Sequence, residues 1–199
     1  MSCRTIAVKT RNKQYDMIDR SGEGRIEYNV EKGKTMRFVC LFDAATGELL
    51  AILNDRDLQH IRVAATAAVA CKYLTVDSVD TMGVLGSGGM AHTHTLAMSA
   101  VRDLTEIRVD SPTTTHREEF AAEMSSKLEA DVVATETPRA ALHDVDIAAT
   151  CTNSTDVFHS KWLDGVDFLT VVTPSEVEDA VFEATQVFTT TNKPFAASE

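Results

Sequence analysis

The run TMGVLG, which begins at Thr81, opens directly into SGGMAHTHTLAMSAV, and this junction limits the possible folds of the 199-residue chain more than any other segment. Gly86, Gly88 and Ala91 satisfy G-x-G-x-x-G/A. In that fingerprint the first glycine permits a tight turn, the second lets the backbone approach a pyrophosphate, and the small third residue lets helix and strand pack closely. The N–H groups of Gly89, Met90 and Ala91 would then open a helix whose dipole favours an anion. A glycine-rich turn can also simply join a strand to a helix, but here an apolar run precedes it, a helical pattern follows, and a βαβ unit closes on EIRVD. Asp110 ends that second strand about 20 residues beyond Gly88, the separation at which an acid bonds the ribose hydroxyls of NAD. Ser111, Thr113, His116 and Arg117 follow at once and could cradle a 2′-phosphate instead, so NAD is the expectation and NADP the alternative.

After Val79 the pattern alternates: EIRVD, the helical THREEFAAEMSSKLEA, DVVATE, a short helix at 138–143, VDIAATCT, DFLTVVT, the helical SEVEDAVFEA, and QVFTTT. Short apolar strands separated by amphipathic helices indicate a parallel sheet covered on both faces. Residues 4–54 read differently, as three or four antiparallel strands (RTIAVKT, RIEYNVEKGKTMRFVCLFD, ELLAIL) with turns at 21–24, 31–34 and 44–47. From Asp57 the alanine-rich DLQHIRVAATAAVACKYL has helical spacing and suits close packing beneath another element. The expected fold is therefore α/β: a Rossmann-like parallel sheet with helices on both faces, preceded by a partial antiparallel β-rich platform. The expected boundaries are platform 1–56, linking helix 57–78, dinucleotide domain 79–191 and tail 192–199.

A net charge of −11 disfavours general affinity for nucleic acid. The one tight basic cluster, Lys9, Arg11 and Lys13, has the spacing of a solvated strand face. Cys3, Cys40, Cys71 and Cys151 show no C-x-x-C spacing, which points to a reduced, cytoplasmic protein rather than a zinc or disulfide scaffold. No apolar leader and no apolar run of about 20 residues occurs, so neither secretion nor membrane insertion is expected. His92 and His94 diverge around a helix and do not form a metal pair, and no metal site is expected. Cys151 reads as small apolar packing before it reads as a nucleophile.

Several segments, taken in order, resemble the ornithine cyclodeaminase and mu-crystallin family. LFDAATGELLAIL resembles its D-x-x-T-G-x-x-x-A-I hairpin, IRVAATAAVACKYL its R-T-A-A-x-S-A-V-A helix, GVLGSGGMAHTH its G-I-I-G-T-G-x-Q-A-x-x-H turn, and DVDIAATCTNS its A-D-I-V-x-x-A-T strand. KWL and PSEVED follow in the same order, so the resemblance covers roughly residues 36–190. It implies a β-rich substrate and dimerisation platform ahead of the Rossmann domain, hence a homodimer, and an amino or imino acid whose carboxylate is held beside the nicotinamide. By position Arg62 resembles the carboxylate-clamping arginine, a task suited to a planar guanidinium, and Lys9 in IAVKT resembles the active-site lysine. Gly86, Gly88, Gly89, Met90, Ala91, Asp110, Ser111, Thr113 and Arg117 are carried over as cofactor contacts, with Thr150 and Thr152 beside them.

The chain departs from the family at three places. Arg62 is followed by Val63 where the family has threonine. The G-G-D-x-P-G segment, whose aspartate transfers protons in cyclodeaminases, is represented by VVTPSEVE, which offers Thr173 and Glu176 and no aspartate at the matching place. The chain also starts inside the platform and ends soon after QVFTTTN, which reads as truncation at both ends. The resemblance implies hydride transfer at the α-carbon of an amino or imino acid, with conversion of ornithine to proline and ammonia as the default. Ketimine reduction or amino-acid dehydrogenation is one alternative, and a non-catalytic dinucleotide-binding or relic protein the other.

Overall fold

A computed structural model describes residues 4–10, 15–19, 24–28, 37–154, 158–162 and 164–185. Cys3, Arg11, Lys13, the turn at 31–34, most of that at 21–24, the expected strand QVFTTT and the tail 192–199 lie outside the described residues. Five strands come first: β1 (Thr5–Thr10), β2 (Tyr15–Asp19), β3 (Gly24–Tyr28), β4 (Phe38–Asp43) and β5 (Leu49–Asn54). They form a three-stranded antiparallel sheet in the order β1-β4-β5 and a separate β2–β3 pair. The β4–β5 turn is held by the Asp43 carboxylate, which accepts from the Ala45 and Thr46 amides at 2.8 and 2.9 Å, and by Gly47 at φ +74°. Strand β2 was not anticipated, because YDMID carries two acids in five residues and lacks the apolar alternation that marks strands.

Helix α1 (Asp55–Leu74) starts two residues before the expected Asp57. Asn54 supplies the cap, its side chain accepting from the Arg56 amide at 3.0 Å, and Asp55 and Asp57 complement the first turn. At the other end Thr75 folds back on the Cys71 carbonyl through both its amide and its hydroxyl, at 3.1 and 2.9 Å. The buried Arg102 completes that end: one guanidinium nitrogen donates to the Cys71, Lys72 and Thr75 carbonyls at 3.2, 3.0 and 3.2 Å. Lys72 and Thr75 lie among the carbonyls that the helix end leaves without amide donors, while Cys71 already accepts from Thr75.

The second unit runs β6 (Thr81–Leu85), α2 (Gly89–Ser99), β7 (Glu106–Asp110), α3 (Thr114–Lys127), β8 (Asp131–Ala134), α4 (Pro138–Leu142), β9 (Ile147–Thr150), β10 (Phe168–Val171) and α5 (Asp179–Ala184). Its five strands are all parallel, in the order β10-β9-β6-β7-β8. Met82 and Val84 of β6, Ile107 and Val109 of β7, and Ile147 and Ala149 of β9 form one buried layer with Cys71 of α1, Met98 of α2 and Phe120 of α3. Leu85 and Ala148 form the layer on the opposite face with Leu142, Phe158 and Val181. The expected sheet with helices on both faces is thus observed. Asp146 ties the starts of β6 and β9 together, accepting from the Asp80 and Thr81 amides at 2.9 Å each and from the Thr81 hydroxyl at 2.7 Å.

One helix differs from expectation. SEVEDAVFEA splits into a 3-10 turn, Pro174–Glu176, and the short α5. Between them Val177 is extended and bridges Phe158, while the Glu178 amide bonds the Phe158 carbonyl at 3.1 Å. Those tertiary bonds replace the helical ones that the 3.6-residue periodicity suggested.

Arg102→Ala should lower unfolding free energy in urea by about 2–4 kcal/mol, because three carbonyls at the end of α1 lose a charged donor in a buried setting. A loss below about 0.5 kcal/mol would mean that water replaces the guanidinium there without cost.

Candidate functional site

In an open parallel sheet the ligand crevice lies beyond the strand C-termini, where the strand order reverses. Here the chain proceeds from β6 through β7 to β8, then crosses to β9 on the other side of β6, so the reversal falls between β6 and β9. Gly86 follows β6 at that point with φ +108°, a conformation few side chains tolerate, and a Cβ on it would collide with the Cys151 carbonyl just after β9. Its amide donates to the Asp110 carbonyl at 2.7 Å, and the Cys151 amide donates to Leu85 at 2.8 Å. The ends of β6, β7 and β9 therefore meet at one glycine.

Gly88 caps α2 without a side chain, and nothing lies within 4 Å of where its Cβ would be. The first-turn amides of this 11-residue helix thus open onto free space, a cradle that a side chain at position 88 would fill. Ala91 is fully buried against the sheet and Met90 packs on the same core. His92 and His94 take separate partners: His92 Nδ1 donates to the Gly88 carbonyl at 2.9 Å, and His94 Nδ1 to that of Met90 at 2.7 Å.

Beside the cradle the Ser87 hydroxyl donates to that of Ser111 at 3.0 Å, and Arg117 donates to the Ser111 carbonyl at 3.1 Å. Asp110 is largely buried; burial pushes its carboxyl above the usual range, while the Arg117 charge and the Ser111 amide oppose the rise. Thr113, the residue before α3, and His116 in its first turn are exposed. Asp110, Ser111, Thr113 and Arg117 thus lie together at the end of β7.

Thr150 and Thr152 also reach the crevice floor, but they face a residue to which the sequence assigned no such contact. Thr150 is fully buried and its hydroxyl donates to Glu176 at 3.0 Å, while the Thr152 amide donates to the other Glu176 oxygen at 2.7 Å. The Thr173 amide adds a third donor at 2.8 Å. Burial lifts the Glu176 carboxyl to about 7 against these donors. The Cys151 thiol is pushed up by burial and by Glu176. Burial and that shift suit the packing role.

The substrate candidates lie on α1. Lys9 of β1 approaches the buried Asp55 carboxylate at 2.7 Å and the Gln59 side-chain oxygen at 2.6 Å. Asp55, Gln59 and Arg62 follow helical spacing along one face, so Lys9 and Arg62 share a strip of α1, with Arg62 exposed. Two residues of this wall escaped the sequence reading. Asp55 falls ahead of the expected helix start and belongs to no motif, and His60, one position from Gln59, lies against Gly89. The only signal for His60 was indirect: a glycine at position 89, beyond the two that the turn itself requires.

Comparison with known proteins agrees with this geometry. The chain is 33% identical over 129 residues to the Delta(1)-pyrroline-2-carboxylate reductase of Bacillus cereus, covering 64% of this chain and 40% of that one. It is 29% identical over 126 residues to the ketimine reductase mu-crystallin of Rattus norvegicus, covering 63% and 39%. The chain thus spans about two fifths of the length of these relatives. Among solved structures, the Thermococcus litoralis Delta(1)-pyrroline-2-carboxylate reductase in complex with NADH and L-proline superposes with a TM-score of 0.63 at 22% identity, covering 80% of this chain and 55% of that one. Residues 26–194 match the pattern of a single family, and they include the strand-end crevice, the glycine turn and the Arg62 helix, so the chain belongs to the ornithine cyclodeaminase/mu-crystallin family.

Proposed function

We propose that this chain binds NAD(H), with NADP(H) as the alternative, and acts on a small amino or imino acid by hydride transfer. The observation that carries this reading is the open cradle at Gly88, set at the sheet reversal with Asp110 at the end of the next strand. A bound nicotinamide would supply or accept the hydride. The α2 amides would hold the pyrophosphate and Asp110 the adenosine ribose, while Thr152 and Ser111 border the crevice and Thr150 supports it from beneath. Arg62 would clamp the substrate carboxylate, with Lys9 on the same strip held by Asp55 and Gln59. Matched relatives named for pyrroline-2-carboxylate and ketimine reduction support the substrate class.

Ornithine cyclodeamination, the family default, needs a proton-transfer group beside the substrate nitrogen. The loop after β10 offers Glu176, yet both of its oxygens are engaged by Thr150, Thr152 and Thr173. That engagement favours imine reduction, which asks chiefly for hydride delivery. A non-catalytic dinucleotide-binding role is the remaining reading.

The platform exposes Ile6, Val8 and Ile52, which strand alternation and pairing put on one face, an apolar surface that a homodimer formed through this sheet would cover. No helix among the described residues is long and apolar enough to cross a membrane. A cytoplasmic location belongs to the same proposal.

Calorimetric titration should show NAD binding by the wild-type chain and none by Gly88→Val, which should remain folded because the added side chain enters open space. Failure of the wild-type chain to bind NAD at millimolar concentration would end the dinucleotide reading.

Asp110→Ser should shift the ratio of NAD to NADP affinity toward NADP by about 5- to 100-fold, the equivalent of about 1–3 kcal/mol for a charged hydrogen-bonding group. An unchanged ratio would show that Asp110 does not meet the ribose.

In assays at saturating cofactor, pyrroline-2-carboxylate should be reduced while proline and ammonia form from ornithine at least about 100-fold more slowly, the scale of a missing general acid–base group. Ornithine turnover at about 1 s⁻¹ or faster would reverse that order and restore cyclodeamination. NAD binding without turnover of either substrate would favour the non-catalytic reading.

A further inference from the structure

We propose that the His60 imidazole forms a second wall of the phosphate cradle, facing the dinucleotide pyrophosphate from α1 and taking up a proton as the cofactor binds. This rests on the dinucleotide reading above and adds to it a residue from outside the β6–α2 turn. Gly89 is the first residue of α2, and a Cβ there would lie 2.6 Å from His60 Cε1 and 2.7 Å from Nδ1. The ring therefore rests on Gly89, the residue that follows Gly88 in the turn. Gly89 is small because His60 occupies the volume of its side chain. Backbone amides offer partial charge, whereas an imidazole adds a full one that switches near neutrality.

The charged groups around the ring come from three elements. Arg56 and Asp57 lie on its own helix, Arg37 stands ahead of β4, and His94 is on α2. Partial burial chiefly, and then the Arg56 and Arg37 charges, keep His60 below the usual histidine range, with Asp57 opposing them. His94 is fully buried and its Nδ1 donates to Met90; burial chiefly lowers its pKa, and the Met90 bond opposes that. A pyrophosphate brings two negative charges toward Arg56, Arg37 and His60. It offsets the field that disfavours imidazolium, so the His60 pKa in the complex exceeds that of the free protein. The sign of the linkage follows. Binding is strongest below the free-protein pKa and weakens as pH rises through the pKa of the complex. Protonation of Asp110 would act in the opposite direction.

The test uses the full chain and NAD+, which has no group titrating between pH 5.5 and 8.5. Calorimetry in two buffers of different ionisation enthalpy gives Kd and proton uptake together. Wild-type Kd should be about three- to tenfold lower at pH 5.5 than at pH 8.5, tenfold corresponding to a one-unit pKa shift, with net proton uptake at intermediate pH. His60→Gln should bind with the wild-type Kd of pH 8.5 at every pH and take up no proton. Gly89→Ala, which keeps the imidazole but moves it off the backbone, should flatten the profile in the same way. A flat wild-type profile without uptake overturns the proposal, as does a His60→Gln profile that keeps the wild-type slope; in both cases NAD+ still binds and the dinucleotide reading stands. Absence of wild-type binding overturns both.

Discussion

The close approach of Gly86 to the Cys151 carbonyl is the contact on which the crevice depends. A side chain at position 86 would be strained at φ +108° and would also meet main-chain atoms, which cannot move aside as a flexible side chain can. With no Cβ present, the ends of β6 and β9 close to backbone contact, and the Gly86 amide reaches the carbonyl of Asp110 at the end of β7. Three strand ends are thereby locked together while the connections that leave them diverge. The Ser87–Ser111 bond and the three donors on Glu176 tighten the same floor. For the hydride transfer proposed above a rigid floor would matter, because misplacement of reacting atoms by about 1 Å costs about 100-fold in rate.

Helix α1 is the opposite wall, and it is fastened at both ends. Asn54 caps its start, and the Lys9–Asp55 pair links that start to the platform strand β1. Arg102, contributed by the segment between α2 and β7, closes its other end. The platform and the parallel sheet are thus joined through one helix. That helix presents the Lys9–Arg62 strip on one face and His60 on another, and His60 touches the glycine turn. Substrate and cofactor candidates are held on a single rigid element, which fixes their relation more closely than separate loops would.

The turn, the parallel sheet and the acid at the end of β7 were legible in the sequence because each depends on local chemistry: glycine conformation, apolar runs and a short chain separation. Helix α1 begins two residues before the expected Asp57 because Asn54, the last residue of β5, also caps it, a double role that apolar spacing does not register. The helix expected across Ser175–Ala184 was misread for another reason, since its amphipathic spacing was real but Phe158 and Thr150 supplied tertiary partners that local periodicity cannot encode. His60 is an extreme case. The role proposed for it rests on contact with a residue 29 positions away in the chain, and that contact is made only when α1 packs on α2. The resemblance placed Arg62 and Lys9, but it was the structure that showed Lys9 bound to Asp55 and Gln59.

Glu176 shows why residue type and position do not suffice to assign a proton-transfer role. VVTPSEVE holds two carboxylates, Glu176 and Glu178, and Glu176 is the one the sequence offers in place of the family's aspartate; burial lifting its carboxyl to about 7 gives it a pKa suited to acid–base work. Its hydrogen bonds point elsewhere. Two backbone amides and one hydroxyl converge on its two oxygens, and the residue is 1% exposed, so a substrate nitrogen has no direct route to it. Because the folded pKa lies above the ordinary value near 4.5, the stabilisation linked to the proton is complete below that value and is lost as pH rises through about 7. The perturbed carboxyl is therefore a consequence of closing the floor beneath the crevice. A proton for the chemistry proposed above that floor would have to come from a group in contact with solvent or substrate, which Glu176 is not.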